Sequence, residues 1–113
     1  MFVINQSQLR RLARPGLVEF INKLQQFIGT EYPEEVLLED PKQVRQRLTE
    51  LVDKAQRYGF VLEQQVTLFV CICMELGDDF DQQLKYEPVT TILSDGNSLP
   101  QDRIDRAGEL VFS

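Results

Sequence analysis

The sequence predicts an all-α protein: a compact single-domain bundle of five to six helices with a central apolar helix. Three observations predict it. Apolar residues recur at three- and four-residue spacing along most of the chain, the period that buries one face of an α-helix. Helix-starting and helix-stopping residues punctuate these stretches where a helix would begin or end. Strand signals, by contrast, are weak. At 113 residues the chain, 1–113, is one domain by length, and its apolar fraction of 42% suffices for an ordinary core.

Taken in order, Asn5 or Ser7 caps a short first helix carrying Leu9 and Leu12, which ends ahead of "RPG" because a residue before proline resists the α region. A second helix starts near Pro15 or Gly16 and runs to about Gly29, with Leu17, Phe20, Ile21, Leu24, Phe27 and Ile28 on its apolar side. Thr30 to Glu39 is a connector with one helical turn at Glu34 to Leu38. Asp40 then caps a third helix that has Pro41 at its first position. This helix turns Val44, Leu48, Leu51, Val52, Ala55 and Tyr58 inward, pairs Glu50 with Lys54 outside, and stops at Gly59 in a left-handed conformation.

Glu63 to Leu76 is the fourth helix and the least polar. Val66, Phe69, Val70, Cys73 and Met74 make one face, while Leu68, Cys71, Ile72 and Leu76 spread over much of the rest. A helix apolar nearly all round is central, or is covered on one side by something else. Gly77 ends it. Pro88 to Ser94 is a short helix, "SDGN" a turn, and Ser98 with Gln101 a capping box opening a last helix that turns Ile104, Ala107, Leu110 and Val111 inward.

The stretch "CICMELGDDFD", residues 71 to 81, invites a metal or redox reading. Residues two apart on a helix point about 200° from each other, so Cys71 and Cys73 cannot converge on one ion or bond each other. The chain has no histidine and no further cysteine to complete a site. Both thiols therefore read as core. Asp78, Asp79 and Asp81 read as turn residues, with Phe80 folding back onto the bundle. A calcium loop starting at Asp79 fails, because its sixth and twelfth positions hold Leu84 and Thr90 rather than Gly and Glu. A cation site completed by a partner stays open.

The absence of histidine also removes the commonest general base. Carboxylate pairs such as Glu34 with Glu35 or Glu75 with Asp78 have no diagnostic spacing. No glycine-rich phosphate loop or nucleophile elbow occurs. The chain is expected to be no enzyme and to need no cofactor or metal. A net charge of -6 argues against nucleic acid, no apolar run is long enough for a membrane, and the N-terminal residues lack a signal peptide's basic start. Two cysteines too close to staple anything suggest no oxidising compartment, so a cytoplasmic location is expected.

Between Glu75 and Asp102 the chain carries Glu75, Asp78, Asp79, Asp81, Glu87, Asp95 and Asp102 against Lys85. A one-signed region of this kind steers a basic partner. The candidate partner-binding residues are Asp78, Asp79, Asp81, Tyr86 and Glu87. Leu68 and Ile72 join them, left over by a helix too apolar for one buried face and turned to a partner protein or a second copy in a homodimer.

Read together, "AQRYGFVLEQQVTLFVCICMELGDDFD" and "EPVTTIL" resemble a group of small bacterial proteins encoded beside type VI secretion spike, PAAR and effector-chaperone genes. The shared letters are Tyr58-Gly59, Glu63, Leu76-Gly77-Asp78-Asp79-Phe80-Asp81 and the short helix from Pro88 to Leu93. The layout extends over residues 15 to 110, and the specific letters lie mainly in 55 to 93. Val89 stands where members often have Trp. The resemblance implies an accessory role: a protein-binding adaptor or co-chaperone that helps a secretion effector or its chaperone load onto the spike. The alternative is an immunity protein that neutralises a toxin.

Overall fold

The computed structural model describes residues 16–37 and 39–113 in full and the backbone of residues 14 and 15. The helix expected around Leu9 and Leu12 lies outside the described residues. Within them are six α-helices, and no β-strand. They are α1 (Arg14–Glu31), α2 (Pro33–Val36), α3 (Pro41–Arg57), α4 (Glu63–Leu76), α5 (Glu87–Leu93) and α6 (Pro100–Phe112), with short 3-10 turns at Phe80–Gln82 and Leu84–Tyr86. The all-α bundle expected from periodicity is therefore present, with a Cα radius of gyration of 13.5 Å.

Helix α4 is central. Ten of its residues are buried, including Val66, Phe69, Val70, Ile72 and Cys73. In one core with it lie Phe20, Ile21, Leu24 and Ile28 of α1, Val44, Leu48, Leu51, Val52 and Ala55 of α3, Val89 and Leu93 of α5, and Ile104 and Ala107 of α6. A sequence apolar nearly all round is stable in water only when neighbours cover it nearly all round. Both cysteines are buried and free. Burial pushes the Cys71 thiol up to about 11 and the Cys73 thiol to about 12, as befits core side chains.

The caps of α3 are the ones its residues call for. The Asp40 side chain accepts from the Lys42 amide at 2.9 Å, with Pro41 in the first turn. At the other end Gly59 has φ 98°, Phe60 N–H bonds Ala55 O at 3.1 Å and Gly59 N–H bonds Gln56 O at 2.9 Å. These two bonds form the Schellman motif. Gly77 differs from the expected left-handed cap: its φ of 105° and ψ of 150° lie in a region essentially closed to other residues. Gly77→Ala is expected to cost about 1–3 kcal/mol by backbone strain, since a Cβ there would touch nothing within 4 Å. Urea unfolding checks it.

Four expectations need correction. Helix α1 continues past Gly29 to Glu31 because the ladder is unbroken, with Tyr32 N–H on Ile28 O at 2.7 Å. The Glu50–Lys54 pair does not form, because Lys54 reaches instead to Asp81 at 2.6 Å. Ser98 does not cap α6: Leu99 holds that position, and the Ser98 hydroxyl donates to Asp95 at 2.8 Å within its own turn. Leu110 is exposed, since only one side of α6 meets the bundle and that side is filled by Ile104 and Ala107. The cap that does operate on a buried helix start is Gln65, whose Oε1 accepts from the amides of Val61 and Leu62 at 3.2 Å each.

Candidate functional site

The acidic turn after α4 is held in place by basic residues of α3. Arg47, Lys54 and Tyr58 are seven and four residues apart, which brings them onto one stripe of that helix. Facing them are Asp78 and Asp81, three residues apart. Arg47 grips Asp78 with two parallel bonds, Nε to Oδ2 at 2.8 Å and Nη2 to Oδ1 at 2.9 Å. Such fork-to-fork pairing fixes geometry as well as energy. Lys54 Nζ donates to Asp81 Oδ1 at 2.6 Å and to the Asp78 carbonyl at 2.9 Å, and the Tyr58 hydroxyl donates to Asp81 Oδ2 at 2.9 Å.

Burial alone would raise the Asp81 carboxyl. The bonds from Lys54 and Tyr58 outweigh it and hold the group below its ordinary value. Burial, reinforced by Asp81, pushes the Tyr58 phenol up to about 12. Between the two carboxylates Phe80 points inward and is fully buried, with its ring centroid 6.0 Å from that of Phe69. Phe69 also meets Tyr58 at 5.4 Å and Phe60 at 6.0 Å. Lys54 Nζ stands 5.6 Å from the Phe80 ring centroid, so the cation contacts the ring that its two acceptors flank.

Arg103 of α6 completes the assembly. Its Nη1 donates to Tyr58 O at 2.9 Å and Leu93 O at 2.5 Å, two carbonyls at helix C-termini, and its guanidinium lies 5.2 Å from the Phe60 centroid. A cation at two carboxyl-terminal ends is favoured by both helix dipoles. One arginine therefore ties α6 to the ends of α3 and α5.

Of the predicted partner-binding residues, Asp78 and Asp81 are thus committed inside the molecule. Ile72 is fully buried, so it cannot face a partner in this fold; its position is covered by the bundle rather than left over. Leu68 is half-buried, and so is Tyr86, with Lys85 Nζ 5.0 Å from the Tyr86 centroid. Asp79 and Glu87 are exposed. Val89, where the resembling proteins often carry Trp, is buried in the core, so that position faces inward here.

Leu84, which the sequence reading passed over, is 82% exposed on the second 3-10 turn. It borders an open groove of ≈ 290 Å³ lined also by Asp81, Gln82, Gln83, Glu87 and Thr90. A second groove, of ≈ 520 Å³, lies across Asp81 and Gln82 and is lined by Lys54, Arg57, Tyr58 and Asp79. Arg47, Lys54 and Arg103 were missed as well. The sequence signal for the first two was their shared stripe with Tyr58, matched by the Asp78–Asp81 spacing.

Among the described residues no group of three or more His, Cys, Asp or Glu side chains is placed to hold a metal ion, and no helix is long and apolar enough to cross a membrane. No family model, curated protein or solved structure matches the chain.

Proposed function

We propose that the protein is a non-enzymatic adaptor or co-chaperone for a type VI secretion effector, acting in the cytoplasm by binding a partner protein. The resemblance of residues 55 to 93 to accessory proteins of that system supports it. The observation that carries the binding surface is Leu84. A large apolar side chain held out on a turn whose neighbours are clamped to α3 is preorganised for a partner's pocket. Asp79 and Glu87 beside it are exposed and form no ion pair among the described residues, so they remain to steer basic groups.

The immunity reading is favoured by one further observation, the net charge of -6, which suits a cover for a basic toxin surface. Co-purification with the products of adjacent genes, followed by association rates, tests both. Leu84→Glu is expected to weaken capture of the cognate partner by tenfold or more, a loss of about 1.4 kcal/mol or above. Asp79→Lys with Glu87→Lys should mainly slow association and flatten its salt dependence. Unchanged binding by both variants would remove this surface from consideration. A toxin among the captured products, inhibited by the protein, would select the second reading.

A further inference from the structure

Helix α6 gives one side to the bundle. Ile104 and Ala107 are buried, Gln101 accepts from Gln65 of α4 at 3.0 Å, and Arg103 reaches the ends of α3 and α5. Another side of α6 carries Leu99, Asp102, Arg106 and Leu110, all exposed, Leu99 by 70% and Leu110 by 51%. Steps of three, four and four residues hold these side chains on a strip about 80° wide. Its charges are not used up inside the molecule. Among the described residues Asp102 forms no hydrogen bond or ion pair, and Arg106 meets only Asp95, at 4.0 Å. Asp95 does not depend on that contact, since it accepts from the Asn97 amide at 3.0 Å and the Ser98 hydroxyl at 2.8 Å. The helix dipole favours an acid in the first turn, where Asp102 stands, but it accounts for neither Arg106 nor the two leucines.

The order Leu, Asp, Arg, Leu is complementary to its own reverse. When a second α6 is laid antiparallel on the first, about a two-fold axis beside residue 104, Leu99 meets the second copy's Leu110 and Asp102 meets the second copy's Arg106. The same axis repeats both pairs the other way round. A two-fold interface needs such a patch, because each surface must match itself. A patch of one sign, such as Asp79 with Glu87, would repel its copy. We infer that α6 is a self-association surface, on which two copies of this chain pair antiparallel through Leu99, Asp102, Arg106 and Leu110. The groove of ≈ 500 Å³ that Arg106 borders with Thr91, Ile92 and Ser94 widens this face beyond the helix. A contact centred on one 13-residue helix, about 20 Å long, is small beside the roughly 1,200 Å² of a stable interface. The dimer is therefore a weak one that forms as concentration rises.

Sedimentation of the full chain, over a concentration series reaching the millimolar range, should show monomers giving way to dimers. Each substitution enters a two-fold pair twice. Asp102→Arg sets arginine against Arg106, and Arg106→Asp sets aspartate against Asp102, so each alone should weaken the dimer by about tenfold or more. Mixed in equal amounts, the two variants should recover it as a heterodimer, because every facing charge pair is then of opposite sign. Leu110→Glu should weaken the dimer independently of both. All three positions are exposed, so folding is kept, and circular dichroism checks it. A wild type that stays monomeric throughout the series overturns the inference. So does a dimer that any of the three substitutions leaves intact, since another face must then hold it. Loss of the dimer in both charge variants without recovery in their mixture rules out the antiparallel register.

Discussion

Replacing Phe80 with alanine is expected to destabilise the protein by about 3–5 kcal/mol, the usual cost of deleting a buried aromatic ring. Phe80 is fully buried although it belongs to a turn of acidic residues, and its ring packs on Phe69 and under the Lys54 ammonium. The cavity left by its removal would be walled by Phe69 of α4 and by α3, neither of which can collapse without breaking its own contacts. Urea unfolding measures the loss. A cost below about 1 kcal/mol would mean that the turn is only loosely docked and that Leu84 is not held in a fixed position.

Reversing the charge of Asp78 and Asp81 together to lysine should cost a comparable amount, about 3–5 kcal/mol, because breaking a largely buried pair leaves the remaining charge uncompensated. The Asp81 and Lys54 side chains are only 9% and 19% exposed, and Asp81 also satisfies Tyr58. Lysine at these two positions would face Arg47 and Lys54. Asp79→Lys, at an exposed position between them, should change stability by less than about 0.5 kcal/mol. The contrast separates a clamp from a solubilising surface, since a merely solubilising surface would tolerate all three changes alike.

The same clamp predicts how stability depends on pH. The Asp81 carboxyl is held below its ordinary value in the folded protein, so folding favours its ionised form. Its contribution is complete above the unfolded value of about 3.9 and disappears as pH falls through the lower folded value. In wild type the midpoint of urea unfolding should therefore drop as pH falls below about 4, and in Asp81→Asn that drop should be smaller. An identical profile for the two proteins would show that other carboxylates carry the acid sensitivity.

Most of the fold was legible in the sequence, and the reason is local. The apolar stripe of α1, the Asp40 cap, the Gly59 stop and the limits of α4 each depend on residues within a turn or two of one another. Periodicity and capping report such relations directly. Reading failed where a local rule competed with a distant partner. Lys54 had Glu50 one turn away, yet chose Asp81 because a half-buried carboxylate that also bonds Tyr58 offers a charge-assisted bond shielded from water. Ser98 and Gln101 had the spacing of a capping box, but Ser98 turned back to Asp95, and Gln101 accepts from buried Gln65, 36 residues earlier.

The candidate site divides in the same way. Composition alone established its acidity, and the turn residues after Gly77 established where the chain must leave α4. Which carboxylates are free to meet a partner depended on where α3 lies against that turn. Packing the two together brought Arg47 to Asp78 and Lys54 to Asp81 across 31 and 27 residues of chain, leaving Asp79, Glu87 and Leu84 outside. Charge and hydrophobicity are properties of residues and can be read from letters. Exposure and compensation are properties of neighbours, and for residues this far apart in sequence only the folded chain decides who the neighbours are.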